Sequence, residues 1–99
     1  MSKYIINEKA IDDINKIWIY TVENWSIEQA DRYYNLIFDE IEYIVDNFEM
    51  ARDFGNIRKN YRCSKVKSHI VFFKKTKSNE IEIIRILHEK MDIENQLSL

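Results

Sequence analysis

The sequence predicts an α+β domain in which a helical hairpin packs on a mainly antiparallel four-stranded sheet, in the order β-α-α-β-β-β. In the first half of the chain, apolar side chains recur every three to four residues, which is typical of amphipathic helices. In the second half the period changes to two, or the apolar residues run together, as in strands. A length of 99 residues suits a single domain, 1–99, and 45% apolar side chains are enough for a core.

The first half begins with a short strand-prone run, Lys3 to Ile6, and continues with two helices. Asn7 is placed to cap the first helix, and Ser26-Ile27-Glu28-Gln29 has the form of a capping box for the second. Because so few residues separate the helices, we expect them to pack as an antiparallel hairpin. The residues expected to lead the buried helix faces are Ile14, Ile17, Ile37, Ile41 and Ile44.

Three strands are predicted after a connector over residues 49–56. The first begins at Asn56 and places Ile57, Tyr61 and Cys63 on one face, since side chains alternate along a strand. The second runs from His69 to Lys74 and is almost wholly apolar. An apolar strand of this kind is expected at the centre of a sheet, covered on both faces.

The third of these strands is predicted from Ile81 to Leu87, after a turn at residues 76–79. Alternation places Ile81, Ile83 and Leu87 on one side of it and Ile84 and Ile86 on the other. The helical hairpin covers only one face of the sheet. We therefore expect the tail, residues 89–99, or a partner protein to cover the second face.

Composition excludes several classes of protein. The single Cys63 cannot form an internal disulfide, which favours the cytoplasm over secretion. One glycine and no proline leave no Gly-rich phosphate loop. No apolar run approaches the roughly 18–20 residues of a membrane span, and the first residues lack a secretory segment. Cys63, His69 and His88 lack paired ligand spacing, so we expect neither a metal nor a cofactor.

Charge is distributed unevenly along the chain, although the formal net charge is only −2. Residues 1–51 carry 4 basic and 11 acidic side chains, and residues 78–99 carry 2 and 5. Residues 52–77 instead carry 9 basic side chains and one acidic one. This block indicates a surface that meets an anionic partner, or a set of solvated strand faces balanced by the acidic helices.

One set of side chains in the predicted sheet has the residue types of an RNA-cleaving site. It consists of Arg58, Arg62, His69, Arg85, His88 and Asp92. Such a set can bind phosphate and perform acid–base chemistry. It can equally be structural, with Arg85 paired to Asp92 and His88 fastening the end of its strand. Acidic pairs on the helices, Asp12/Asp13 and Asp39/Glu40, are interpreted as solvated or as partners of the helix dipole.

These segments together resemble the RelE/ParE superfamily of toxins from toxin–antitoxin systems, and within it the ParE branch. The resemblance runs nearly the full length, and its most specific part is Ile84-Arg85-Ile86-Leu87-His88 followed by Met91-Asp92. The other matching segments are Ile17 to Thr21, Trp25 to Ala30, Ile57-Arg58, Tyr61-Arg62 and His69 to Phe73. The resemblance implies a type II toxin that is neutralised by a cognate acidic antitoxin with a DNA-binding N-terminal half.

Two activities are implied by the two branches of the superfamily. ParE-like toxins poison DNA gyrase without being enzymes, whereas RelE-like toxins cut messenger RNA on the ribosome. The tail over residues 89–99 contains no Arg and no Tyr and is net acidic, which disfavours contact with RNA phosphates. The sequence therefore favours a non-catalytic gyrase poison over a nuclease, with no sequence-specific binding of nucleic acid.

Each activity assigns roles to particular residues. A nuclease would use Arg62, Arg85 and His88, whereas a gyrase poison would use Arg85, His88 and Asp92 only as structural supports. The candidates for contact with the target are Arg58, Lys59, Arg62 and Lys90, together with the tail 89–99. The candidates for contact with the antitoxin are Ile84, Ile86, Lys74 and Lys75.

Overall fold

The predicted helical hairpin is present. The computed structural model describes residues 4–55 and 58–97, with helix α1 at Glu8–Asn24 and helix α2 at Ile27–Asp46. Both predicted caps form: the side chain of Asn7 accepts a hydrogen bond from the backbone N–H of Lys9, and that of Ser26 accepts one from Gln29. In the part of the chain that the structure describes, no helix is both long and apolar enough to cross a membrane.

The sheet has five strands rather than the four that the sequence predicts. The strands are β1 at Tyr4–Ile6, β2 at Arg52–Asp53, β3 at Arg62–Val66, β4 at His69–Lys75 and β5 at Ile81–His88. Their spatial order is β1-β5-β4-β3-β2, in which β1 is parallel to β5 and the other pairs are antiparallel. The extra strand β2 lies inside the predicted connector and has only two residues, so it has no periodicity to reveal it.

Strand β3 begins later than predicted. The sequence places its start at Asn56, but residues 58–61 form turns and pairing begins at Arg62. Asn60 has a φ of 68°, in the left-handed region that breaks a strand and that Asn tolerates. The prediction for Ile57 lies outside the described residues.

The face of the sheet under the helices holds the larger core. Ile37, Ile41 and Ile44 of α2 are at most 1% exposed, which confirms the predicted register of this helix. They pack with Ile14 of α1 and with strand residues from β3, β4 and β5, including Val66, Val71, Phe73, Ile81, Ile83 and Ile86. Burial of these branched side chains is the main force that holds the hairpin on the sheet.

The second face is covered by the tail, as one of the two sequence alternatives expects. A short helix, α3, spans Ile93–Leu97, and Leu97 is buried against Phe72 and Leu87. Cys63 and Tyr61 complete this smaller core.

A β-bulge in β5 reverses part of the predicted alternation. Phe72 pairs with Arg85 while the next residue, Phe73, pairs with Ile83, so Ile84 is an extra residue on β5. As a result, Ile86 faces the helices and is 2% exposed, and Leu87 faces α3. The prediction that Ile84 and Ile86 share a face is therefore wrong.

Candidate functional site

A large apolar groove lies between the helical hairpin and the ends of the central strands. Its volume is about 950 Å³. Tyr20 from α1 and Trp25, which follows α1, line one side, and Met91, which follows β5, lines another. These three side chains are 62%, 75% and 49% exposed, respectively. Exposed apolar side chains gathered in one concave surface are typical of a protein interaction site.

A hydrogen-bonded Tyr–His pair lies at the base of this groove. The hydroxyl oxygen of Tyr33 is 2.6 Å from Nδ1 of His69 and 3.1 Å from the carbonyl oxygen of Val66. Since a hydroxyl carries one hydrogen, both contacts are satisfied when Nδ1–H of His69 donates to Tyr33 and Tyr33 donates to Val66. We assign that tautomer. The pair ties α2 to the turn between β3 and β4.

Burial makes both members of this pair resist ionisation. Burial, followed by the neighbouring His88, lowers the pKa of His69 from 6.5 to about 4. Burial likewise raises the pKa of Tyr33. The rings of His69 and His88 are 5.2 Å apart, edge to face. Near pH 7 the His69 ring at the base of the groove is therefore uncharged. An uncharged surface suits an apolar partner better than a phosphate.

Arg85 pairs with Asp13 of α1, and the predicted pairing of Arg85 with Asp92 is wrong. Nε of Arg85 donates to Oδ2 of Asp13 at 2.8 Å, and Nη2 donates to Oδ1 at 2.9 Å. Oδ2 of Asp13 also accepts the backbone N–H of Ile86 at 2.9 Å. Strand β1 pairs with β5 only as far as Ile83, so the carboxylate of Asp13 satisfies an N–H on the open edge of β5.

Asp92 has a different contact from the one expected, whereas His88 fastens the end of β5 as the structural alternative predicts. Asp92 accepts hydrogen bonds from the side chain and backbone of Asn95, at 2.6 and 3.5 Å, at the start of α3. Nδ1 of His88 accepts the backbone N–H of Lys90 at 3.1 Å, which fixes the turn after β5. Asp92 thus supports α3 rather than Arg85.

A second concave surface lies at the opposite end of the sheet; we call it the basic hollow. It has a volume of about 480 Å³ and is lined by Lys59, Arg62 and Lys75. Two aromatic rings, Tyr61 and Phe48, also line the hollow, and each lies close to one arginine and one lysine. Arg62 and Lys75 lie 4.8 and 4.5 Å from the centre of the Phe48 ring, and Arg58 and Lys74 lie 5.9 and 6.0 Å from that of Tyr61.

The residues predicted for a nuclease do not come together. Arg62 donates to the carbonyl of Ala51 and pairs with Glu49, near the start of β3. Arg85 is held by Asp13 across the edge of β5, and His88 lies at the far end of that strand. The sequence showed three residues of suitable types, but the topology separates them.

The residues predicted to bind the target and the antitoxin do not form two separate groups in the structure. Of the four target candidates, Lys59 and Arg62 line the basic hollow, Arg58 lies beside it near the Tyr61 ring, and Lys90 borders the groove. Of the antitoxin candidates, Lys75 lines the basic hollow, and Lys74 lies beside it near the Tyr61 ring. Ile86 is buried, so placing it on an exposed binding surface is wrong, and Ile84 is only half-buried beside the smaller core.

Two buried or bonded carboxylates were misread as solvated. Asp13 is 9% exposed and joins α1 to β5, and Glu40 accepts a hydrogen bond from Ser64 of β3. The placement of Asp13 beside Ile14, on the buried side of α1, was the available signal.

Burial raises the pKa of the Cys63 thiol. No group of three metal-ligating side chains occurs among residues 4–55 and 58–97.

The fold, a helical hairpin on a five-stranded sheet with two concave surfaces, is that of a small domain of the RelE/ParE type. Residues 4–93 match the family described as ParE toxin of type II toxin-antitoxin system, parDE. The chain belongs to this family. It is therefore a toxin of a type II toxin–antitoxin system, with a cognate antitoxin as its partner.

Bacterial relatives extend over almost the whole chain. It is similar to Toxin ParE1 of Caulobacter vibrioides, at 34% identity over 93% of this chain and 94% of the relative. It is also similar to Toxin ParE1 of Mycobacterium tuberculosis, at 29% identity over 97% and 98% of the two chains. A structure titled "Chromosomal ParDE TA system from P. aeruginosa" has the same fold. Its TM-score is 0.76 at 19% identity, and the match covers 89% of this chain and 96% of that one.

Proposed function

We propose that this toxin acts in the cytoplasm as a non-catalytic poison of DNA gyrase, which it traps with its DNA cut. The observation that carries this choice over RNA cleavage is the separation of Arg62, Arg85 and His88. In the register of the sheet, Arg62 is aligned through Phe73 with Ile83. Because Ile84 is a bulge residue, His88 lies four β4 residues further along the sheet, about 13 Å at 3.3 Å per residue, and β3 and β5 are two strands apart, which adds about 10 Å across the sheet. The Arg62 guanidinium is also held at its own end of the sheet by the carbonyl of Ala51 and by Glu49, so one phosphodiester does not meet both groups.

Arg85 adds to this argument. Its Nε and Nη2 donors are occupied by Asp13, and the carboxylate offsets its positive charge. The hydrogen bonds that Arg85 donates to Asp13 raise the pKa of Arg85. A guanidinium in this arrangement stabilises the fold and is not free to stabilise the negative charge that develops on RNA during cleavage.

The groove is the proposed docking site of the antitoxin. Its apolar lining suits an amphipathic helix, with Trp25, Tyr20 and Met91 as anchors. Lys16 and Lys90 border the same groove, which favours acidic residues on the polar side of that helix. This placement replaces the one based on Ile84 and Ile86.

The test of the gyrase proposal combines purified toxin, gyrase, supercoiled DNA and ATP. We expect linear DNA to accumulate with protein attached to its cut ends, and the cognate antitoxin to suppress it. A matched reaction with a topoisomerase I in place of gyrase should give no linear product. Ribosomes carrying messenger RNA are the comparison arm. Cuts placed by codon position and lost in His88→Ala, without gyrase-linked breaks, would refute the proposal.

A further inference from the structure

The basic hollow concentrates positive charge that the fold does not need for its core. Lys59, Arg62 and Lys75 line it, from the turn before β3, from β3 and from the end of β4, and Arg58 and Lys74 flank it beside the Tyr61 ring. Two carboxylates of the same region, Asp53 and Glu49, offset part of this charge. Oδ1 of Asp53 accepts the backbone N–H of Gly55, so this carboxylate is engaged in the turn. The cations outnumber the two carboxylates, and the hollow has a positive balance.

The aromatic rings hold the cations in place instead of presenting an apolar anchor. Each ring, Tyr61 or Phe48, is approached by one arginine and one lysine. Tyr61 is 8% exposed, and the ring of Phe48 packs on Phe73, at 5.8 Å between centroids. Cations fixed in this way lose less conformational freedom on binding than free surface lysines.

The lining indicates which class of partner fits the hollow. Protein interfaces depend on exposed aromatic or aliphatic anchors. The large exposed apolar side chains of the described residues do not line this hollow. It offers ammonium and guanidinium groups and the amide of Asn60, all of which can donate hydrogen bonds to phosphate oxygens. A sugar–phosphate backbone needs only such donors.

We propose that the basic hollow binds the phosphate backbone of duplex DNA without reading its sequence. The inference goes beyond the proposed action on gyrase, but the two are compatible, because a toxin that traps cut DNA on gyrase works beside a DNA duplex. In that setting the hollow clamps the DNA while other toxin surfaces contact the enzyme. The three cations that line the hollow allow about three phosphate contacts.

The test measures binding of the purified toxin to a fluorescent 20-base-pair duplex by anisotropy, across a salt titration and without gyrase. We expect a Kd of about 10–100 µM at low salt. With about three phosphate contacts, the slope of log K against log salt is about −2.7, a loss of about 40-fold between 50 and 200 mM. Each cation removed from the contact reduces the slope by about 0.9.

The variant Lys59→Gln/Lys75→Gln should therefore reduce the slope to about −1. Its matched control is Lys9→Gln/Arg32→Gln, which removes two exposed cations from the helices and should leave the slope unchanged. Circular dichroism confirms that both variants are folded. In the gyrase reaction, the first variant should need about 10-fold more toxin for half-maximal cleavage, and the control no more than the wild type.

Two results would overturn the proposal. One is a duplex affinity that is undetectable at 50 mM salt, or that falls equally in the control variant. The other is binding of a polyglutamate peptide but not of the duplex, which would assign the hollow to an acidic protein segment. Because the duplex assay contains no gyrase, either result leaves the gyrase proposal to be judged by wild-type cleavage alone.

Discussion

Removing the carboxylate of Asp13 should destabilise the protein more than any change to a neighbouring acidic residue. This side chain joins α1 to β5 through three hydrogen bonds, two from Arg85 and one from the backbone of Ile86. In the variant Asp13→Asn the shape is kept, but the guanidinium loses its charge partner and the amide nitrogen meets other donors. The guanidinium is still largely buried, since its side chain is 15% exposed.

The magnitude follows from the burial of the pair. Breaking a buried ion pair by removing one partner costs about 3–5 kcal/mol. The Asp13 and Arg85 side chains are 10% and 15% exposed, so solvent reduces the expected cost to about 3 kcal/mol. With a urea m-value of about 1.5 kcal/mol/M, the unfolding midpoint should fall by about 2 M.

The assay is urea unfolding at pH 7, followed by circular dichroism, in a double-mutant cycle. Asp13→Asn and Arg85→Met are measured singly and together, and the double variant should cost about 2 kcal/mol less than the sum. Asp12→Asn, an exposed neighbour on the same turn, is the control and should stay within about 0.5 kcal/mol of the wild type. A cost below 1 kcal/mol for Asp13→Asn, or a coupling near zero, would refute this account of the contact.

Three further predictions concern stability and antitoxin binding. The folded pKa of His69, about 4, lies below its ordinary 6.5, so stability is fully present above pH 6.5 and declines as the pH falls towards 4. For this half-buried ring the loss should be about 1–2 kcal/mol in urea titrations, and it should flatten in His69→Gln. Trp25→Ala should weaken antitoxin binding about 30-fold by calorimetry, whereas Tyr43→Ala, exposed on α2, should not. Ile41→Ala should cost about 2–5 kcal/mol in thermal unfolding, because Ile41 is 0% exposed; a cost near zero would contradict its burial.

Regular periodicity made the helices and central strands predictable. The caps at Asn7 and Ser26 and the buried register of Ile37 and Ile41 follow from local patterns, and the structure contains them. These features depend on residues within a few positions of one another, so a single sequence records them.

The errors in the predicted strands arose where a single residue or a short pairing changed the sheet. The extra residue Ile84 in β5 moves Ile86 to the helix face, and alternation alone gives no sign of it. The left-handed Asn60 delays β3 in the same way. Strand β2 forms only because its two residues meet β3 across the connector. Each of these depends on pairing between distant segments.

The candidate site was less predictable than the fold, for a related reason. Residue type singled out Arg62, Arg85 and His88 as candidates for a nuclease site, but their separation depends on the strand order and on Asp13, 72 residues from Arg85. The groove was not predicted either, because in the sequence Trp25 continues the apolar periodicity of the first helix and so is expected to be buried. Its exposure of 75% at the end of α1 becomes visible only in three dimensions.

The positions of the two surfaces constrain how an antitoxin neutralises this toxin. His69 begins β4 at the groove and Lys75 ends it at the basic hollow, six residues or about 20 Å apart. A helix that fills the groove alone therefore leaves the hollow open to an anion. An antitoxin that blocks both must continue from the groove as at least about six extended residues, and acidic side chains there would occupy the cations that we assign to DNA. Neutralisation would then combine apolar anchoring at Trp25 with competition for charge at Lys75. Salt would weaken the second contribution much more than the first.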